Sequence, residues 1–262
     1  MKFVALALTL LMGISLTSCL NSDDNNSSSQ ISGIFAVNSS LGTVFFTDGS
    51  GVKYYPTSTS LATVESSNGF KTSSKVAYLS FTYDSAAGES ASTGYTIALT
   101  YAVSLDTTVE TVENEGASND SISTAPISSL GAMTSSSNLY VINNHLVLGV
   151  EYYMSKLHYF TLVYYPEETT SSSTELKLYL RHNSKGDTST SNTSYEYAFN
   201  SNGGYPFLYF KAFDLSEILS DYLMKTGKSS VTINLETKES DISLDLSKAT
   251  TKNYTLTYSF NN

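Results

Sequence analysis

The sequence predicts an all-β protein folded as two units, with one helix in the second. Three observations carry that expectation. The chain has 20 tyrosines, no tryptophan and only 15% charged residues amid abundant serine and threonine, a composition that suits half-exposed strands. Apolar residues recur at every second position along most of the chain, the period of a strand with one buried face. A single stretch near residue 220 carries them at the period of a helix instead.

In the first unit, strands are expected at 33–37, 43–47, 52–55 and 75–83. Tyr95, Ile97, Leu99, Tyr101 and Val103 then alternate with Thr96, Ala98, Thr100 and Ala102. In the second unit, strands are expected at 139–142, 146–153, 208–213, 231–235 and 242–246. Phe160, Leu162 and Tyr164 oppose Tyr159, Thr161 and Val163, and Leu176, Leu178 and Leu180 oppose Lys177, Tyr179 and Arg181. The last strand puts Tyr254, Leu256, Tyr258 and Phe260 on one face. One apolar face per strand favours antiparallel sheets.

The helix is expected over 214–226, where Leu215, Ile218, Leu219, Tyr222 and Leu223 form an apolar stripe. Asp214 followed by Glu217 fits a capping box, and Gly227 is placed for a left-handed end. It is the only substantial helix the sequence predicts.

The segment 110–123 is acidic, contains glycine, serine and asparagine, and is poor in large apolar residues, so it marks the boundary between units. The expected layout is a signal segment at 1–18, a tether at 19–30, an N-terminal β-domain at 31–112, a linker at 113–122 and a C-terminal β-domain at 123–262. Both domains have ordinary sizes.

The amino terminus gives an address. Lys2 precedes an apolar run from Phe3 to Met12, and smaller residues lead to Leu16-Thr17-Ser18-Cys19. The run is too short for a membrane-spanning helix, which needs about 20 apolar residues, and has the form of a secretory signal. Cys19 is the only cysteine in the chain, and its surroundings resemble a bacterial lipobox, whose cysteine is lipidated and becomes the mature amino terminus. The polar residues 20–30 then form a solvated tether. Within it, Ser22-Asp23-Asp24 resembles the acidic export signal of surface lipoproteins. The expected location is therefore the outer membrane, lipid-anchored and facing the cell exterior.

A formal charge of −10 disfavours nucleic-acid binding, which needs a basic footprint. No spacing signals a metal set, a phosphate loop or an activated nucleophile, so no catalytic residue, metal or cofactor is expected. His158 and His182 alternate onto the apolar faces of their strands and read as hydrogen-bonded strand-end residues, whereas His145, beside Asn143 and Asn144, reads as solvated. Glu167 and Glu168 read as solvent-facing loop carboxylates. Arg181 is the sole arginine. It is a candidate for carboxylate or glycan recognition by its planar donor fork, or else a structural residue pairing with a loop carboxylate such as Asp187. Tyr205 and Tyr209, in a glycine-rich approach, are candidates for stacking on sugar rings. Three Asp-Ser/Thr-hydrophobic or Asp-Thr-Thr triplets place candidate O-glycosylation at Ser85, Thr107 and Ser121.

Several short motifs together resemble the NigD-like lipoproteins of Bacteroidota. They are Gly42-Thr43-Val44, Asp48-Gly49 before Pro56, the strand Lys75–Phe81, Leu178-Tyr179-Leu180-Arg181-His182-Asn183 followed by Asp187, Phe213-Asp214-Leu215-Ser216, and the terminal Tyr254–Phe260 strand. The resemblance implies an N-terminal OB-like β-barrel and a larger C-terminal antiparallel β-sandwich. It also implies a non-catalytic module that binds a partner, in an immunity-type role. A glycan-binding accessory lipoprotein of a nutrient-uptake system and a fimbrillin-like structural subunit are the alternatives. The mid-strand position of the only arginine counts against subunit maturation by cleavage after an amino-terminal arginine.

Overall fold

A computed structural model describes residues 28–84, 91–111, 122–153, 158–188 and 207–260. Cys19, Ser85, Ser121, Tyr205, the tether residues up to 27 and most of the expected linker lie outside them. The chain divides into two units, the first ending at Asp106 and the second beginning at Thr107.

The first unit contains strands β1 (Ser28–Ser40), β2 (Thr43–Thr47) and β3 (Lys53–Pro56), helix α1 (Ser58–Asn68), and strands β4 (Val76–Asp84) and β5 (Tyr95–Ser104). The strands form a closed barrel in the order β1-β2-β3-β5-β4. Strand β1 closes it by serving two neighbours: Ser28–Ala36 runs antiparallel to Asp84–Val76, and Ala36–Ser40 runs antiparallel to Thr47–Thr43. Between β3 and β5 the pairing is parallel. Phe35, Phe46, Tyr54, Leu79, Phe81 and Ile97 fill the interior, each fully buried or nearly so.

Ser28–Gln30, expected as the end of the tether, instead begin β1 and pair with Asp84–Thr82, and two further departures from the sequence expectation occur here. Helix α1 was not expected, because its sequence has no apolar stripe and Val64 is its only buried residue. Its ends hold it instead. The Thr57 side chain accepts from the Ser60 amide, and Gly69 closes it in the left-handed conformation at φ 64°. The second departure lies in β5. A bulge in the β4–β5 ladder passes over Thr100, since Ser80 pairs with Tyr101 but Phe81 pairs with Leu99. The inward face therefore changes from Ile97 and Leu99 to Ala102, and Tyr101 and Val103 no longer share the face of Ile97.

The second unit holds two five-stranded sheets and one helix. Its strands are β6 (Asp106–Thr107, where the chain passes from one unit to the next), β7 (Val109–Thr111), β8 (Ser129–Leu130), β9 (Leu139–Ile142), β10 (His145–Tyr152), β11 (Tyr159–Tyr164), β12 (Glu175–Asn183), β13 (Phe207–Asp214), β14 (Ser230–Glu239) and β15 (Thr250–Ser259). One sheet runs β6-β13-β10-β8, with β9 also paired to β10; the other runs β15-β14-β12-β11-β7. Together they make the expected sandwich. In the second sheet β12–β14 and β11–β7 are parallel, so that sheet is mixed. Because Val109–Thr111 pairs with Leu162–Tyr164 of the second unit, that unit begins before residue 112.

Leu146, Leu148 and Val150 of one sheet meet Leu162, Leu176, Leu178, Ile233 and Leu235 of the other in a single apolar core. Helix α2 (Ser216–Thr226) adds Ile218, Leu219 and Tyr222. Gly227 ends the helix at φ 64° as expected, but the capping box does not form: the N-cap is Leu215, without a side-chain cap bond, and Asp214 accepts from the Ser216 amide two residues on. Residues 242–246 are not a strand despite their alternation. Ser240 Oγ accepts from the amides of Ile242 and Ser243, and Asp245 caps the one-turn helix Leu246–Lys248. These local bonds satisfy the backbone without a ladder, and Ile242 is left largely exposed.

Candidate functional site

A buried polar cluster lies in the sandwich, where β11 and β12 run antiparallel and pair Phe160 with His182. Alternation points His182 inward with Leu178 and Leu180, and His158, just before β11, inward with Phe160. The two rings meet. His158 Nδ1 lies 2.8 Å from His182 Nε2, and His158 Nε2 lies 3.1 Å from Asp187 Oδ2. The far nitrogen of His182, Nδ1, is 2.9 Å from the carbonyl oxygen of Pro126. Asp187 reaches this point through a tight turn after β12, in which its amide donates to Ser184 O at 2.9 Å and Lys185 and Gly186 take positive φ.

The cluster is buried and aromatic. His158 and His182 are 2% exposed and Asp187 is 5% exposed. Phe160 stacks on His182 at 4.8 Å with a 10° interplanar angle, and Tyr152 packs on His158 at 4.9 Å. Burial first, and then the positive charge of its partner His158, push the His182 pKa down to about 3, against weaker help from the backbone of Pro126 and Ala125. His182 is therefore neutral. The inner end of the chain is a backbone carbonyl, which accepts a proton bond and passes nothing on.

The expected site residues do not converge. Tyr209 lies near the cluster, half-buried against Tyr152 at 6.4 Å and Phe160 at 6.1 Å, with Lys211 Nζ 5.2 Å from its ring centroid. Arg181 projects from the opposite face of β12. It is 4% exposed, sits 4.9 Å from the Tyr179 ring centroid and brings Nη1 to 3.8 Å from Glu236. The expected Arg181–Asp187 pair is replaced by Asp187–His158, because alternation and the turn put Arg181 and Asp187 on opposite faces of the sheet. Thr107 is half-buried in β6.

Two further expectations are corrected. His145 is buried, with Nδ1 2.7 Å from Asn143 O. Asn143 and Asn144 both take positive φ in the two-residue turn between β9 and β10, and the turn folds the His145 ring back onto its own backbone. Glu168 accepts from the Tyr179 hydroxyl at 2.9 and 2.8 Å on its two oxygens, so it anchors a strand. Among the described residues no group of three or more histidine, cysteine, aspartate or glutamate side chains is placed to hold a metal. The triad of His158, His182 and Asp187 was missed as a unit because its members meet only through strand register.

On the surface of the first unit, Phe45 and Tyr55 alternate outward from the buried Phe46 and Tyr54. Their half-exposed rings lie 5.7 Å apart at 36°, with Lys53 Nζ 5.5 Å from the Phe45 centroid. Gly94 lies against Tyr55, where a Cβ would come within 2.7 Å of the ring.

Residues 108–203 match the family described as the NigD-like C-terminal beta sandwich domain. A candidate lipoprotein from Bacteroides fragilis superposes with a TM-score of 0.65 at 25% identity, over 89% of this chain and 100% of that one. A NigD-like immunity protein from Bacteroides caccae superposes with a TM-score of 0.52 at 13% identity, over 88% of this chain and 97% of that one. A candidate toxin-related protein from Parabacteroides distasonis gives 0.52 at 18% identity, over 88% and 93%. Among curated proteins, none matches this chain. The resemblance to the NigD-like family, first legible in Leu178–Asn183 and Asp187, is therefore borne out by a family match in the sandwich and by a fold shared along nearly the whole chain.

Proposed function

We propose that this protein is a lipid-anchored outer-membrane module, facing the cell exterior, that binds a partner without catalysing a reaction. The observation that carries the binding reading is the outward Phe45–Tyr55 pair with Lys53 at its edge. Two half-exposed rings on a closed barrel offer a flat apolar contact with a cation beside it. The order β1-β2-β3-β5-β4, with a helix between β3 and β4, supports an OB-like reading of that barrel, in which the face of the second and third strands is the usual contact surface. Leu16–Cys19 and Ser22-Asp23-Asp24 support the anchor and its outward orientation, as does similarity to a candidate lipoprotein. The burial of the sole arginine and the enclosure of the histidines support the absence of catalysis.

A glycan partner is the second reading, favoured by the same aromatic pair, since sugar rings stack on exposed rings. A protein partner, including a toxin in an immunity-type role, is the first. A glycan array and a pull-down from outer membranes, each run with wild type and Tyr55→Ala, separate them. Glycan binding lost in the variant selects the uptake role, and protein capture without glycan binding selects the interaction role. Wild-type binding by the variant in both assays would remove the Phe45–Tyr55 face from the proposal. Palmitate labelling that persists in Cys19→Ala would remove the anchor.

A further inference from the structure

We infer that His158, His182 and Asp187 trap one shared proton and use it as a pH-sensitive latch on the turn after β12. The inference begins at Pro126. Its carbonyl can only accept, so His182 Nδ1, 2.9 Å away, carries a hydrogen. Neutral His182 then presents a bare Nε2, which can only accept. His158 Nδ1, 2.8 Å from it, must therefore donate. That leaves His158 Nε2 facing Asp187 Oδ2 at 3.1 Å. A carboxylate and a bare imidazole nitrogen both accept and would repel at this distance, so one proton lies between them. Whether it resides on nitrogen or oxygen, the triad holds one proton more than two neutral imidazoles and a carboxylate, and its net charge is zero. Neutrality is what burial at 2–5% exposure demands.

The latch joins four pieces of chain. Pro126 belongs to the segment leading to β8, His158 to the start of β11, His182 to β12, and Asp187 to the turn. Backbone bonds run beside it: the Thr124 amide donates to His182 O at 2.9 Å, and the Ser184 amide donates to Thr124 Oγ1 at 3.0 Å. Packed around it are Tyr152 of β10 and Tyr209 of β13, with Lys211 Nζ 5.2 Å from the Tyr209 ring centroid. Lys185 of the turn lies over Tyr159 at 5.2 Å, and Arg181 faces away on the other side of β12.

All four imidazole nitrogens have a partner in the shared-proton state. A further proton in acid must disrupt a bond between imidazoles or leave an uncompensated buried positive charge. Removal of the shared proton in alkali leaves a buried carboxylate against a lone pair. Either change releases the turn and the segment at Thr124–Pro126, while the apolar core between the sheets stays in place.

The test is nitrogen-15 NMR of histidine in the full chain, held in detergent micelles, together with amide hydrogen exchange. At pH 7 the expected pattern is His182 protonated at Nδ1 and bare at Nε2, with His158 protonated at Nδ1. Between pH 6.5 and 4.5, opening at the Thr124, Ser184 and Asp187 amides should rise by up to about tenfold per pH unit after correction for intrinsic exchange. Core amides of β14 should not follow. Asp187→Asn can donate from its amide to His158 Nε2 without the extra proton, so it should lose the alkaline opening and keep the acid one. A bare Nδ1 on His182 at pH 7 would overturn the proton assignment. Opening independent of pH at those three amides would overturn the latch.

Discussion

The Tyr54 hydroxyl, in the interior of the barrel, donates to Asp48 Oδ2 at 3.0 Å, while Asp48 Oδ1 accepts from the Ser50 amide, the Ser50 hydroxyl and the Val52 amide. One carboxylate thus shapes the β2–β3 loop and satisfies a ring that is 1% exposed. Burial, then the negative charge of Asp48, drive the tyrosine pKa well above its usual value. Removing the acceptor with Asp48→Ala should cost about 2–4 kcal/mol, because the buried hydroxyl loses its partner as the loop loses its bonds. Asp48→Asn should cost less, since its amide oxygen still accepts. Chemical denaturation of the two variants checks the ranking.

Gly94 and Gly51 separate two costs of a side chain. Both have positive φ, at 89° and 83°. At Gly51 a Cβ meets nothing within 4 Å, whereas at Gly94 it meets Tyr55 Cε2 at 2.7 Å and Lys53 O at 3.0 Å. Gly51→Ala should therefore lose about 1 kcal/mol from backbone strain alone. Gly94→Ala should lose more and displace the Tyr55 ring. Thermal melts, with the Tyr55 ring resonances as a local probe, distinguish the two.

The second unit should weaken in acid. Folded His182 is held down to about 3, while in the unfolded chain it titrates near 6.5. The unfolded state binds more protons between these values, so stability present above pH 6.5 is lost as pH falls toward 3. The slope from this residue is at most about 1.4 kcal/mol per pH unit. Urea midpoints at pH 7 and pH 5 should fall further for wild type than for His182→Asn, and equal falls would place the titration elsewhere.

Leu219 is 4% exposed on the buried side of α2, between Ile218 and the fully buried Tyr222. Leu219→Asp should destabilise the second unit by about 3–5 kcal/mol, since it puts an unpaired charge in the apolar core. Met224, 78% exposed on the same helix, is the control, and Met224→Asp should leave the melting temperature nearly unchanged.

Elements were legible in the sequence where burial and period coincide. Leu176, Leu178 and Leu180 alternate and are buried, and the stripe of α2 packs through Ile218, Leu219 and Tyr222, with Leu223 at its exposed edge. Helix α1 was hidden because caps at Thr57 and Gly69, with one buried valine, do the work of a stripe. The face change in β5 was hidden because Thr100 looks like any other alternating residue until its partner strand is known. The alternation of 242–246 was misleading, since serine and aspartate side chains answer that backbone locally. The histidine triad required register as well: each histidine could be assigned to an inner face, but only the Phe160–His182 pairing brings the rings together. The carboxylate partner of Arg181 was not legible, because Glu236 comes beside it only through the parallel pairing of β12 with β14.

Closure of the barrel has a temporal side. Ser28–Ala36 is complete on one edge only when Val76–Asp84 lies beside it, and β5 must then bridge β4 to β3. A chain synthesised or exported from its amino end therefore carries its first strand half-satisfied until most of the unit has followed. Contacts this distant along the chain make assembly slow and collective. Once sealed, no strand of that ring can be withdrawn singly without opening it for all five.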